Sequence, residues 1–267
     1  MQIGNKLFEP NQKIYIVGIL NVTPDSFSDG GQYNSLQKAL LQCKKMIEEG
    51  ANIIDLGGES TRPGFVPVFA EEEIGRIAPV LKAISGSADI PISIDTRKPE
   101  VAQVALSLGA SMVNNCSAIK DPAMAKVCAK FNAAYCITHN RESAVYKNFL
   151  EDCCDELLLE VEHAIKCGVD SQKIMLDPGI GFAKSYEQNI EVLRNLKKFI
   201  SLGFPLMLGA SRKRFLGKMI DAPVDQRALG TAVVTAISAL QGVAFIRVHD
   251  VKENKQAVSI AKLLREN

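Results

Sequence analysis

Short apolar runs of strand length recur along the chain, each followed by a segment of helical periodicity. The runs are Ile14–Asn21, Asn52–Gly58, Pro91–Thr96, Ser111–Cys116, Ala134–His139, Ile174–Gly179, Pro205–Ser211 and Ala244–Asp250. They are near-continuous in Ile, Val, Leu and Met, as strands are when a parallel sheet buries both their faces. Between them lie amphipathic stretches such as Leu36–Glu49, Glu71–Ile84, Glu100–Leu108, Phe149–Lys166 and Tyr186–Phe199. Gly50, Gly109, Gly168, Gly203 and Gly242 stand where helix C-caps belong, shortly before the next strand. Eight β–α pairs in 267 residues predict an α/β fold, a (β/α)8 TIM barrel in a single domain over 1–267. A doubly wound open sheet is the alternative. Residues 1–13 read as a lead-in that covers the barrel's N-terminal end.

One stretch departs from the alternation of charge and apolarity. Between Arg227 and Arg247 there is no charged residue. A buried helix followed by a buried strand explains this better than a membrane span, because Gly230, Thr231, Thr235, Ser238 and Gly242 interrupt it. The helical half, Ala228–Leu240, is small or apolar around most of its circumference, whereas a barrel helix normally shows charges to water. A two-fold contact with a second copy is the expected cover, and a homodimer the expected assembly.

Composition adds exclusions. The 47% hydrophobic and 23% charged residues are those of a globular chain. Lys+Arg number 31 against 30 Asp+Glu, so no basic field points to nucleic acid as a partner. MQIGNKLFEP has neither a basic nor an apolar leader region, and neither secretion nor a membrane partner is expected. Seven cysteines without any C-x-x-C read as reduced thiols of a cytoplasmic protein.

The chemistry gathers where the runs stop, which in this fold is the C-terminal rim that carries the site. The run ends read Asn21, Gly58-Glu59-Ser60-Thr61-Arg62, Asp95-Thr96, Asn114-Asn115, His139-Asn140, Asp177-Pro178-Gly179, Ser211-Arg212-Lys213 and Arg247-Val248-His249-Asp250. Asp95, Asn114 and Asp177 are acceptor-rich, and a buried carboxylate takes two parallel N–H bonds from an amidine-like edge. That suggests a flat nitrogen heterocycle. Helix capping for Asp95 and an Asp-Pro-Gly turn for Asp177 are the plainer readings, and either is compatible with binding. Arg62, Lys213, Arg247 and His249 supply cations and donors from strands two, seven and eight, where barrels hold phosphate. With three histidines, of which His163 lies on a charged helix, a His-rich metal site is excluded, whereas an oxygen-ligated Mg²⁺ fits a phosphate substrate. The glycines of Asp177–Phe182 lack the third position of a dinucleotide fingerprint, and no P-loop occurs.

The segment from Gly18 through Asn21-Val22-Thr23-Pro24-Asp25-Ser26-Phe27 to Gly31 closely resembles the first signature of the dihydropteroate synthase family. Asp55-Leu56-Gly57-Gly58-Glu59-Ser60-Thr61-Arg62-Pro63-Gly64 is similar to its second loop. Ser93–Thr96, Leu176–Phe182, Gly209–Lys213 and Arg247–Asp250 follow in family order over nearly the whole chain. The resemblance implies a pterin-binding barrel that joins 4-aminobenzoate to 6-hydroxymethyl-7,8-dihydropterin diphosphate. It implies that Asn21 binds Mg²⁺, and that Asp95, Asn114, Asp177 and Lys213 hold the pterin. Thr61, Arg62, Arg247 and His249 would hold the diphosphate, Phe27, Pro63 and Ser211 would line the aminobenzoate pocket, and Phe182 would wall the pocket beside the ring. Of these, Arg62, Lys213, Arg247 and His249 are the expected catalytic groups. Two departures stand out: Asn115 where the family often has Asp, and Thr138 where it often has Met. A related corrinoid methyltransferase and a non-catalytic pterin-binding barrel are the competing readings; the first needs no diphosphate cations.

Overall fold

The computed structural model describes residues 1–23, 32–59, 67–86, 88–118 and 122–265. Each predicted run holds one strand of an eight-stranded parallel sheet. These are β3 (Tyr15–Asn21), β4 (Ile53–Gly57), β5 (Ile92–Asp95), β6 (Met112–Asn115), β7 (Ala134–Thr138), β8 (Ile174–Asp177), β9 (Met207–Leu208) and β10 (Phe245–Val248). The order β8-β7-β6-β5-β4-β3-β10-β9 is closed by a parallel bridge between Leu176 and Leu206, with Leu176 N donating to Pro205 O at 2.9 Å. Closure decides for the barrel against the open sheet.

The helices between strands are α1 (Gln32–Glu48), α2 (Ala70–Ser85), α3 (Pro99–Ser107), α4 (Pro122–Lys130), α5 (Phe149–Lys166), α6 (Tyr186–Arg194), α7 (Leu196–Ile200), α8 (Arg214–Ile220), α9 (Ala228–Gln241) and α10 (Val251–Arg265). The stretch read as one helix over Tyr186–Phe199 is two. It breaks at Asn195, whose backbone leaves the helical region (φ −118°) while its side chain donates to Glu191 O at 2.8 Å. That competition for backbone groups is what disfavours Asn inside helices. All five C-cap glycines take left-handed φ values, from 88° at Gly203 to 108° at Gly109.

Alternation along the strands makes two cores. Outward residues such as Ile16, Leu20, Ile54, Leu56, Val113 and Leu176 pack under the helices. Inward residues Val17, Ile53, Met112, Cys136, Met175, Met207 and Phe245 fill the lower barrel. Ile3 and Phe8 join this inner cluster, so the lead-in closes the N-terminal end. They are set by a short hairpin, β1 (Gln2–Ile3) paired antiparallel with β2 (Lys6–Leu7). Phe8 meets Tyr15 edge-on at 4.8 Å between centroids and lies 5.8 Å from Phe245. With the lower end plugged, the charged interior side chains among the described residues gather at the C-terminal mouth.

The uncharged stretch is a buried strand preceded by a helix whose polarity is inverted, which corrects the expectation of a buried helix. Thr231, Thr235 and Ser238 face inward, fully buried, while Leu229, Val233, Ile237 and Leu240 are 75%, 51%, 50% and 43% exposed. Burial costs these hydroxyls little because each is bonded: Thr231 Oγ1 to Arg227 O, Thr235 Oγ1 to Asn254 Oδ1 at 2.6 Å, Ser238 Oγ to Val234 O. Val234 belongs to the core. All seven cysteines are free thiols, and among the described residues no helix is long and apolar enough to cross a membrane.

Candidate active site

The inward positions change character one layer above Val17 and Ile53. Parallel register aligns Ile19 with Asp55, Gly57 with Asp95, Asp95 with Asn114, and Thr138 with Asp177. Three carboxylates thus converge from β4, β5 and β8, all nearly fully buried: Asp55 at 1%, Asp95 at 8% and Asp177 at 5% exposure. Unpaired, such a cluster would be prohibitive. Arg247, from β10, answers it. Its Nε donates to Asp55 Oδ2 at 2.5 Å and its Nη2 to Asp95 Oδ2. Lys213, at the start of α8, faces Asp177 and donates Nζ to Ile180 O.

The electrostatics follow from burial. Desolvation raises the Asp95 carboxyl to about 6, the nearby Arg247 guanidinium opposing the shift. Asp177 is likewise raised by burial, against the pull of Lys213 and of the Gly179 N–H, which donates to Oδ1 at 2.7 Å. Burial lowers Lys213 to about 8, with Asp177 resisting. Burial also works to lower Arg247, but Asp55 and Asp95 outweigh it and hold the guanidinium charged.

The expected acceptor wall is assembled. Asn114 commits its N–H to Asp55 Oδ2 at 3.1 Å, which leaves its amide oxygen as an acceptor in register with Asp95. Capping does not occupy Asp95: Lys98 N, at the start of α3, bonds Thr96 Oγ1 instead, at 3.2 Å. The turn does occupy Asp177, but through one oxygen only. Phe182 lies with its ring centroid 4.5 Å from Lys213 Nζ. Ser211 Oγ and His249 Nδ1 stand 2.9 Å apart at the rim. Thr138 is inward and buried, in register with Asp177. Asn115, by contrast, points out of the barrel and donates to Tyr135 Oη at 2.9 Å, so its departure from the family pattern lies behind the wall. Phe27, Thr61, Arg62 and Pro63 lie outside the described residues.

Asn21 closes β3 on the rim opposite Gly57. A Cβ on Gly57 would come within 3.1 Å of Asn21 Oδ1, so glycine there makes room for this oxygen over Asp95. No cluster of three His, Cys, Asp or Glu with metal-binding geometry exists among the described residues. One neutral oxygen suits a Mg²⁺ that keeps its waters and takes its anionic ligands from a phosphorylated substrate.

Two features escaped the sequence reading. Asp55 lies in the polar layer of the mouth, and its Oδ1 is buried with no hydrogen-bond partner among the described residues. Glu59 (6% exposed) ties the end of β4 to the residues before α2 and α3: Oε1 accepts from Val68 N at 3.0 Å and Lys98 Nζ at 2.7 Å, and Oε2 from Arg97 Nη2 at 2.6 Å. Burial would raise its pKa, but Lys98 and Arg97 outweigh that and hold it ionised.

Comparison with known proteins matches residues 17–249 to the family described as pterin binding enzyme. That span begins on β3 and ends at His249. The dihydropteroate synthase of Clostridium beijerinckii is 47% identical over 266 residues, covering 99% of each chain. The chain belongs to the dihydropteroate synthase family of pterin binding enzymes. A structure of the family's Clostridium difficile member, obtained in the presence of pteroic acid, superposes with a TM-score of 0.95 at 47% identity, covering 98% of this chain and 100% of that one. The dihydropteroate synthase of Xanthomonas albilineans with 4-aminobenzoic acid gives 0.91 at 34% identity, over 96% and 94% of the two chains. Membership of this family agrees with the barrel and with the polar layer in its mouth.

Proposed function

We propose that this chain is a dihydropteroate synthase of folate biosynthesis: it condenses 6-hydroxymethyl-7,8-dihydropterin diphosphate with 4-aminobenzoate to give 7,8-dihydropteroate and pyrophosphate. The observation that carries the reading is the buried acceptor wall of Asp95, Asn114 and Asp177 closed by Lys213. An aminopyrimidinone edge presents N–H donors in a plane, and two carboxylates with an amide oxygen complement it. Lys213, next to Asp177, answers a ring acceptor on the same edge. Phe182 is assigned to the wall beside the ring, and Phe27, Pro63 and Ser211 are assigned to the aminobenzoate. Thr61, Arg62, Arg247 and His249 are assigned to the diphosphate. Arg247 has a second duty as the counter-charge of Asp55 and Asp95.

The methylene C–O bond breaks with its electron pair leaving on pyrophosphate, and the amine lone pair forms the new C–N bond. The amine then gives up its proton. A neutral aromatic amine needs no activation as a nucleophile, so catalysis acts on the leaving group. The electron-rich dihydropterin supports positive charge on the methylene, which favours SN1-like substitution. Asn21 would hold Mg²⁺, which when bound offsets negative charge on the diphosphate. The test is pyrophosphate release from the pterin diphosphate with and without 4-aminobenzoate. Release should depend on the amine; equal release without it would make the chain a hydrolase and overturn the reading.

We further propose a homodimer in the cytoplasm, with the exposed row Leu229, Val233, Ile237 and Leu240 as the contact. Ile260, Leu263 and Leu264 of the neighbouring α10 are 58%, 73% and 66% exposed and extend the patch. Ile237→Glu should convert a dimer to a monomer in light scattering while the chain stays folded, because the side chain is half exposed in the single chain. Val234 is unsuitable as a probe, since a charge there would enter the core. A wild-type chain that stays monomeric at tens of micromolar contradicts the proposal.

A further inference from the structure

The connection from Asp177 to α6 is bent by three left-handed residues, Gly179 (φ 72°), Gly181 (φ 81°) and Ala183 (φ 41°). Such a path persists only when its surroundings over-determine it. Its first turn rests on β7: a Cβ on Gly179 would lie 1.8 Å from His139 O, so the backbones touch here and only glycine fits. Gly181 N donates to Asn189 Oδ1 at 2.6 Å, and Tyr146 Oη donates to Ala183 O at 2.8 Å.

Lys184 is the fourth tie. Its Nζ lies 2.8 Å from His139 Nδ1, 3.4 Å from His139 O and 3.2 Å from Phe182 O. Three acceptors thus meet the three N–H bonds of one ammonium. The opposite ring nitrogen, His139 Nε2, lies 3.2 Å from Glu156 Oε2, and Arg141 Nε donates to the same oxygen at 3.0 Å. The imidazole therefore serves as a neutral relay, Nε2–H toward the carboxylate and Nδ1 open to the ammonium. Burial is the first cause that drives the His139 pKa down to about 3, with Lys184 next, so the ring stays neutral at physiological pH. Burial also lowers Lys184 to about 8.

What this lysine holds reaches the pterin wall. Phe182 and Ile180 both contact Lys213, one through its ring and the other through its carbonyl oxygen. We propose that Lys184 is a positioning residue for pterin recognition: tied to His139 and to Phe182 O, it sets the loop that aims Lys213 and the Phe182 ring into the pocket. The inference rests on the pterin-binding reading given above. It assigns the Glu156–His139–Lys184 chain, which is separate from the acceptor wall of Asp95, Asn114 and Asp177, to the affinity for one substrate and not the other.

The experiment is calorimetric titration of the full chain with 6-hydroxymethylpterin, and separately with 4-aminobenzoate in the presence of pyrophosphate. Lys184→Met should weaken the pterin by about tenfold or more, equivalent to about 1.4 kcal/mol. Lys184→Arg should recover part of the loss, and aminobenzoate affinity should stay within a factor of about two, a difference of only ~0.4 kcal/mol. Should the methionine variant fail to fold, Lys184→Gln keeps two donors without the charge, and the order of pterin affinity should be wild type, then Arg, then Gln. Unchanged pterin affinity in folded variants overturns the inference. So does a parallel loss of both ligands with a lowered melting temperature, which would mark a merely structural tie. A wild-type chain that binds no pterin overturns the pterin-binding reading instead.

Discussion

Arg247→Ala should damage fold and function together. The side chain compensates two buried carboxylates through separate edges, and breaking a buried pair by removing one partner costs about 3–5 kcal/mol. For a chain of this size that is a fall in melting temperature of roughly 6–20 °C, at 2–4 °C per kcal/mol. The sequence alone suggests that turnover suffers far more than stability; the pairing with Asp55 and Asp95 removes that distinction. The loss should also depend on pH, with a determinate sign. Asp95 has a folded-state pKa of about 6, above its ordinary 3.8. Its contribution to stability is therefore fully present below pH 3.8 and lost as pH rises through about 6. Removing Arg247 pushes this carboxyl higher still, so the variant's deficit should be smaller at pH 5 than at pH 8. Thermal unfolding at the two pH values checks this, and a deficit that is absent or independent of pH would mean the guanidinium does not compensate Asp95.

Asp177→Asn should keep the turn and weaken pterin binding by about 1.5–3 kcal/mol, the range for hydrogen bonds to charged groups. That is a loss of roughly 10- to 150-fold in affinity. The turn survives because an amide oxygen can still accept from Gly179 N, the bond now made by Oδ1. The other position changes from acceptor to donor and faces Lys213, which has only donors. Calorimetric titration with a pterin ligand measures the loss. Unchanged affinity would confine Asp177 to its turn.

The barrel was legible in the sequence because parallel strands buried on both faces must be continuously apolar, and each run stopped where polar residues enter the mouth. Asp95, Asn114, Asp177 and Arg247 were singled out for that reason, and all four lie in the mouth. Asp55 was not, because it interrupts a run instead of ending one: Ile53, Ile54 and Leu56 surround it. Its inward parity with Ile53 was the available signal. Its pairing with Arg247 spans 192 positions, and nothing local encodes such a contact. Lys184 was missed similarly, since its partner His139 lies 45 positions away on another strand. The uncharged helix shows a different limit. Thr231, Thr235 and Ser238 look like its surface, yet their hydroxyls find acceptors one turn back or on α10, and the apolar face is the one left to water.

Incubation of the chain with 6-hydroxymethyl-7,8-dihydropterin diphosphate, 4-aminobenzoate and Mg²⁺, with both products quantified in the same sample, tests the account most directly. Dihydropteroate and pyrophosphate should appear together in equal amounts, and Asp177→Asn should lower both. Tight binding of the pterin without either product, or pyrophosphate formed without dihydropteroate, would contradict it.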